Sequence, residues 1–433
     1  MFGRRARFFR TNLREKLRQE VLVDARQEVV SLGGERKNSN SVIVFKFVTL
    51  CIKALLGLFL SIILGPISLL RPIEIWLMKL GPDKASHFIE GIENHLRRSH
   101  LQWGKKSTNI VIWPQKFPNE ALAKLYRRVV YILGPRQKFL ATVLPFVIWR
   151  VDRHKHTANS SLIESQIRLN RKATSVSFSE IECSEGRRLE AQLNLSKFNA
   201  FVMLGFTSRA YRASVDKKFH PNDDLFSAIS DQSNFVKVVE RLTCENIGVV
   251  RQGLNVEDDS ALSKAGLLVP NYEKFASGFP DIWLAANCKF LLSACTGSWW
   301  FGLPFNKPAV ITDLYAPNFL SGLKENLVIF QLPWNLAEER FENFAWMSSN
   351  FRWCYSSTRL GTEYITIKNS PEQIVDVVDE QIARLDGTWV ETDEDEELQK
   401  RFQRFVWGKD ADPAYLPRVG AKFLREHQHL LPD

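Results

Sequence analysis

From residue 200 onward the chain alternates short runs of consecutive apolar residues with polar turns and stretches of helical period, without an internal sequence repeat. The runs are 200–206 (AFVMLGF), 247–251 (IGVVR), 289–293 (KFLLS), 308–312 (PAVIT) and 327–331 (LVIFQ), with a shorter one from Leu267 to Val269. Helical stretches at 231–245 and 280–287 fall between them. Strands that are apolar on both faces need cover on both faces, which helices packed above and below a parallel sheet supply. The alternation therefore predicts an α/β fold built on a doubly wound parallel sheet.

The N-terminal half reads less regularly. Residues 84–100 (KASHFIEGIENHLRRSH) predict a helix with Phe88, Ile89, Ile92 and Leu96 on one face. Residues 109–113 (NIVIW) predict a short buried strand, 118–131 a helix with Asn119 as N-cap, and 179–193 another helix. Residues 134–150 carry no clear pattern, and the polar, basic stretch 151–175 reads as a connection between lobes. At 433 residues, 45% hydrophobic and 24% charged, a mainly disordered chain is excluded and two core domains with an extension are expected. The expected division is a basic arm at 1–40, an apolar membrane-associated segment at 41–78, lobes at 79–175 and 176–385, and a helical tail at 386–433. The acidic run from Glu391 to Glu397 is expected to open a helix of that tail as a solvated face.

Charge is distributed unevenly. The formal net charge is +10, and residues 1–40 alone hold ten Lys or Arg against five Asp or Glu. Arg4, Arg5, Arg7, Phe8, Phe9 and Arg10 mix cations with aromatics. Residues 54–70 (ALLGLFLSIILGPISLL) follow, 17 positions without a charge. A spanning helix needs about 20 apolar residues, and Pro66 interrupts this run. A secretory signal fits poorly, because the arm is long and no small-residue cleavage pattern follows. A single span and a buried core helix are alternatives to a re-entrant or interfacial helix. The interfacial reading is favoured, since Lys46 and Lys53 share a helical face and the basic arm would meet anionic lipid, at about 1 kcal/mol per cation near the surface. The expected partner of this charge is a membrane surface and not nucleic acid, at the cytoplasmic face of the inner membrane. Cys51, Cys183, Cys244, Cys288, Cys295 and Cys354 form no CxxC pair, so reduced thiols are expected and zinc-ligand spacing is missing.

In an open parallel sheet, ligands bind beyond the carboxyl ends of the strands. That rule selects four loops, beginning at Thr207, Arg251, Ala294 and Asp313. Arg251 can present a planar, bidentate donor to phosphate, and Gly253 allows close backbone approach; an arginine there can equally cap the sheet edge. Thr296, Gly297 and Ser298 lie between a strand and a helix start, where hydroxyls and amides bind anions or simply cap the helix. Ser208, Arg209 and Tyr211 follow the first strand and are candidates to contact a nucleotide or sugar. His87, Glu90 and Glu93 lie at the start of the first helix, where a general base could activate a hydroxyl. No P-loop, GxSxG elbow or HExxH motif occurs, and DxD triplets occur only at Asp393–Asp395 and Asp410–Asp412 in the charged tail.

Across roughly residues 45–430 the chain resembles a family of bacterial glycosyltransferases of surface-polysaccharide loci, distantly similar to fucosyltransferases. The resemblance rests on SHFIEGIENHL at 86–96, LAKLYRRVV at 122–130, SFSEIECSEGRRL at 177–189, VVRQG at 249–253, DIWLAANCKFLLSACTGSWWFGLPFNKPAVIT at 281–312 and AKFLREHQHLL at 421–431, in family order. It implies two Rossmann-like lobes of the GT-B kind, the first holding the acceptor and the second a nucleotide-sugar. It implies metal-independent transfer of a sugar to a surface glycan or lipid-linked acceptor, with no cofactor beyond the donor substrate. His87 would be the base, with Glu93 second. Arg251, Gly253, Thr296, Gly297, Ser298, Tyr211, Arg209 and Asp281 would bind the donor, Arg251 and the Cys295–Ser298 turn facing one crevice. The sequence departs from the family at Thr207 and Ser208, where an arginine and an aspartate are usual, and near Ala228, where another arginine is missing. These departures motivate the alternative, a catalytically degenerate sugar-nucleotide binder or scaffold of a glycan assembly complex.

Overall fold

The computed structural model describes residues 48–49, 51–60, 62–63, 73–77, 85–103, 108–112, 117–134, 143, 151–153, 166–167, 169–170, 176–207, 230–253, 259–275, 278–294, 296–350, 363–409 and 412–432. Two separate parallel sheets organise them. The first contains β1 (Ile73–Leu77), β2 (Thr108–Ile112), β3 (Tyr131–Leu133) and β4 (Val151–Arg153) in the order β3-β2-β1-β4. Helix α1 (Ala85–Trp103) connects β1 to β2, and α2 (Glu120–Tyr126) connects β2 to β3. The Asn119 side chain caps α2, accepting the Leu122 N–H at 2.9 Å as its sequence position suggested.

Three elements differ from the sequence reading. β1 falls within 41–78, the stretch expected to be membrane-associated, and β4 opens 151–175, the stretch read as a connection. β1 follows a longer apolar run and merges with it in any window of hydropathy. β4 has two charged residues in three, a composition that an edge strand tolerates and a buried one does not. The helix expected over 118–131 ends at Tyr126, because the chain must turn into β3 at Tyr131.

The second sheet contains β5 (Ala200–Gly205), β6 (Ile247–Arg251), β7 (Leu267–Leu268), β8 (Leu291–Ala294), β9 (Ala309–Leu314), β10 (Leu327–Phe330) and β14 (Arg418–Val419). Its order is β14-β10-β9-β8-β5-β6-β7, with every pairing parallel. Chain order runs one way from β5 through β6 to β7 and the other way from β8 to β10, so the topology switches between β5 and β8. The first sheet repeats the same start, β3-β2-β1 with β4 on the other side of β1. Both sheets thus have the Rossmann-like strand order.

Helices cover the second sheet. α3 (Glu180–Gln192) begins with a capping box, in which Ser179 Oγ accepts the Glu182 N–H and Glu182 Oε2 accepts the Ser179 N–H. α4 (Val236–Cys244) leads into β6, α5 (Ser260–Ala265) into β7, and α6 (Phe279–Asn287) into β8. The small antiparallel sheet β12-β11-β13 consists of β11 (Leu332–Asn335), β12 (Arg340–Phe341) and β13 (Tyr364–Ile367). Between β12 and β13 lies α7 (Phe344–Asn350), and α8 (Pro371–Leu385) follows β13. The expected tail is part of the lobe: α9 (Asp393–Trp407) and α10 (Ala421–Glu426) contribute Phe402, Trp407, Phe423 and Leu424 to the same core as the sheet, and β14 extends it. The acidic run opens α9 and is largely exposed, except that Asp395 is buried and ion-paired with Arg425.

The lobes share a core. Phe88, Ile89, Ile92 and Leu96 of α1 and Leu122, Leu125 and Tyr126 of α2 cluster with Ile282 of α6, Trp300 and Leu303. Arg97 of α1, 1% exposed, crosses this interface. It donates to Glu93 Oε2 and to the Leu303 carbonyl at 2.8 Å each, to Asn306 Oδ1 at 3.3 Å, and to the Leu169 carbonyl. Asn170 donates to the Gly322 and Tyr415 carbonyls at 3.1 and 3.0 Å and accepts the Lys324 N–H at 2.7 Å. Asn170, expected to be part of a simple connection, therefore clasps the second lobe.

Within the apolar segment, residues 51–60 are helical. Val48, Ile52, Leu55, Phe59 and Ile62 are all exposed, and their spacing of three and four places them in one stripe. Among the described residues, no helix is long and apolar enough to cross a membrane. Of the cysteines, Cys51, Cys183, Cys244 and Cys288 are free thiols, whereas Cys295 and Cys354 lie outside the described residues.

Candidate functional site

At the switch point between β5 and β8 the ends of the second lobe's strands come close together. Three chain segments meet over Gly205, the last residue of β5. A Cβ there would lie 2.5 Å from Ser298 Oγ and 2.8 Å from Gln252 Oε1, so the convergence requires glycine. Beyond β8, Thr296 caps the 3-10 run Gly297–Phe305, its Oγ1 accepting the Ser298 N–H at 3.2 Å. The hydroxyls of Ser293, Thr296 and Ser298 hydrogen-bond one another at 2.5–3.2 Å. This network fixes the turn's shape from inside the sheet, since Ser293 belongs to β8.

The first lobe reaches this turn. A Cβ on Gly297 would lie 2.4 Å from both Cβ and Oγ of Ser86, the second residue of α1. His87 is the next residue and is half-buried. The structure thus sets the start of α1, one residue before His87, against the turn holding Thr296, Gly297 and Ser298, where the two lobes touch.

Arg251 is placed otherwise than expected. It ends β6 as the sequence predicted, but it is 2% exposed. Its guanidinium carbon lies 3.8 Å from the centre of the Phe206 ring, Nε lies 3.6 Å from Asp259 Oδ2, and Nη1 donates to the Gln252 carbonyl. Burial lowers the Arg251 pKa, opposed by the charge of Asp259. The expectation that this guanidinium faces a crevice is therefore corrected: it is packed into the end of the sheet, because an aromatic ring and a carboxylate there compete for it. The Cys295 half of the expected turn lies outside the described residues.

Gly253 and Asp281 act together. Gly253 has φ +79°, and its N–H donates to Asp281 Oδ1 at 2.8 Å. The Tyr272 hydroxyl donates to the same oxygen at 2.7 Å. Burial raises the Asp281 pKa, against the opposing hydrogen bonds from Tyr272 and Gly253 and the charge of Arg251. Asp281, half-buried, holds the turn after β6 from the start of α6 through Oδ1.

Glu93 is corrected as well. It is fully buried, pairs with Arg97 at 2.8 Å and accepts the Tyr126 hydroxyl at 2.6 Å. Burial and the adjacent carboxylate push the Tyr126 pKa well above its ordinary value. A base for an acceptor hydroxyl must touch that hydroxyl, and Glu93 instead ties α1 to α2. Arg209 and Tyr211, and the departures at Ser208 and Ala228, lie outside the described residues. Among the described residues no cluster of three His, Cys, Asp or Glu side chains could hold a metal ion.

Two residues at the carboxyl edge were not singled out from sequence as ligand contacts. Gln252 crosses from β6 over Gly205 toward Ser298, to whose carbonyl Nε2 donates at 3.5 Å. Asp313, flagged only as a loop start, is 2% exposed at φ +54°. Its N–H donates to Asn369 Oδ1 at 2.6 Å, and its Oδ1 accepts the Asn369 N–H at 2.7 Å. Left-handed backbone in a non-glycine residue costs about 1 kcal/mol or more, offset here by that reciprocal clasp. The signal for Gln252 was its position directly after a strand-ending arginine; Asp313 had none, because its partner is 56 residues away.

No family model matches the chain, and no curated protein matches it in sequence. Among solved structures it is similar to a glycosyl transferase family 9 protein from Veillonella parvula DSM 2008. That likeness has 10% identity and a TM-score of 0.43, over 72% of this chain and 97% of that one. It is also similar to E. coli heptosyltransferase WaaC, solved with ADP, at 10% identity and a TM-score of 0.32, over 59% of this chain and 90% of that one. The same enzyme with ADP-2-deoxy-2-fluoro heptose gives 12% identity and a TM-score of 0.31, over 56% and 89%. The resemblance noted from sequence pointed toward fucosyltransferases; these structures are a family 9 transferase and a heptosyltransferase. Likeness at this level assigns neither activity nor substrate to this chain.

Proposed function

We propose that the chain is a glycosyltransferase that moves a sugar from a nucleotide-sugar to a glycan or lipid-linked acceptor without a metal. The observation that carries the reading is the contact between the start of α1 and the Thr296–Ser298 turn at the switch point of the second sheet. In an open parallel sheet that edge is where a nucleotide lies. Hydroxyls and amide groups at the start of the 3-10 run would face the diphosphate and stabilise it as it leaves. His87, one residue from the contact, would accept the proton of the acceptor hydroxyl. Arg251, Gly253 and Asp281 would shape the donor side without touching it. Arg209 and Tyr211 remain proposed donor contacts on sequence grounds.

The exposed stripe Val48, Ile52, Leu55, Phe59 and Ile62 supports placing the chain at a membrane surface, with the basic arm and Lys53 against anionic headgroups. We assign it to the cytoplasmic face, where a lipid-linked acceptor would be within reach. The burial of Arg251 favours a second reading, a sugar-nucleotide binder without turnover, because it removes the expected cation from the crevice.

Release of nucleoside diphosphate from a panel of nucleotide-sugars, in the presence of lipid extract as acceptor, separates the two. The enzyme reading expects acceptor-dependent release that falls at least a hundredfold in a folded His87→Ala variant. Binding of a nucleotide-sugar with no release, with every donor tried, supports the second reading and contradicts the first.

A further inference from the structure

The side chain of Gln252 lies across the carboxyl end of β5. Its backbone N–H continues the β5–β6 ladder, donating to the Leu204 carbonyl at 2.8 Å, so the residue is anchored at its base. The side chain then crosses Gly205 toward the Ser298 carbonyl. It therefore touches all three segments of the switch point. Gln252 is 6% exposed, and among the described residues its Oε1 finds no hydrogen-bond donor. A buried amide oxygen without a donor is costly, and such groups in folded proteins call for an explanation. The hydroxyls of Ser293, Thr296 and Ser298 hydrogen-bond one another and not this oxygen.

We propose that Gln252 is a specificity-determining residue whose Oε1 accepts a hydrogen bond from an O–H or N–H of the nucleoside of the bound nucleotide-sugar. The inference rests on the reading of the switch point as a donor site and names the group that reads the donor. An amide oxygen repels phosphate, so it selects a hydroxyl or ring N–H of the nucleoside and leaves the diphosphate to the Thr296–Ser298 turn. A ligand lacking that donor would leave the oxygen as it is in the free protein and gain nothing from it.

Gln252→Met keeps the length and removes both polar atoms. Two measurements on the full-length protein decide the matter: thermal unfolding without ligand, and calorimetric titration with ADP, UDP and GDP as probes. The proposal expects the ligand-free variant to melt at or above the wild-type temperature, because an unsatisfied acceptor has been removed. It expects affinity for the nucleotide that binds the wild type to fall about tenfold. A variant that binds that nucleotide as well as the wild type overturns the proposal and leaves the donor site standing. A fall of several degrees in the melting temperature with equal binding makes Gln252 a structural strut, with the same consequence. No binding of any of the three nucleotides to the wild type overturns the proposal together with the reading on which it rests.

Discussion

Individual residues at the carboxyl edge are constrained by closeness more than by charge. Gly205→Ala would force a methyl group to within 2.5 Å of Ser298 Oγ. The expected cost is about 1–3 kcal/mol of stability, read as a lower denaturation midpoint, together with loss of nucleotide binding. His95 gives a residue-scale pH effect. Burial, assisted by Arg98 and His100 and opposed by its hydrogen bond with Asn109, lowers its pKa from 6.5 to about 3. The folded protein therefore stays unprotonated at a pH where the unfolded chain takes up a proton. Its contribution to stability is full above about pH 6.5 and is lost as the pH falls toward 3, by about 2 kcal/mol near pH 5. Unfolding curves from pH 7 to 5 should show this slope, and His95→Gln should flatten it. What sequence conveyed at this scale was position. Arg251 was correctly placed at the end of a strand, but the direction of its guanidinium depends on Phe206 and Asp259, whose arrangement around it is set by the fold.

At the scale of elements, the legible parts were those with a strong period or a cap. β6 matches its expected span of 247–251, and α1 and α6 fall within a few residues of theirs. α3 owes its start to the Ser179 capping box, so Ser179→Ala should cost about 1 kcal/mol, measured as a shift in denaturation midpoint. β1 and β4 were missed because neither has a period of its own long enough to stand out; each is defined by pairing with a partner distant in sequence. α1 is held by more than its apolar face. Arg97→Met would strand the buried Glu93 without its counterion and should cost about 3–5 kcal/mol. Replacing both, Glu93→Leu with Arg97→Met, should recover part of that loss, which a double-mutant cycle in denaturant reads directly.

For the whole molecule, the shared core and the Arg97 crossing make the two lobes one cooperative unit, although each has its own parallel sheet. Calorimetry should show a single unfolding transition, and the Arg97→Met variant should shift it as a whole without splitting it. The sheet of the second lobe was legible from the alternation of strands and helices, and the presence of two core domains from the length. The closeness of the lobes was not, because it depends on Asn170 and on Gly297, whose partners sit more than 150 positions away. The central claim is that a nucleotide-sugar sits at the switch point where α1 meets the Thr296–Ser298 turn. Hydrogen exchange of the full-length protein, with and without saturating nucleoside diphosphate, tests it most directly. The account predicts slower exchange confined to amides at the ends of β5 and β6, the turn from Thr296 to Ser298 and the first turn of α1. Protection elsewhere on the molecule, with these amides unchanged, would contradict it.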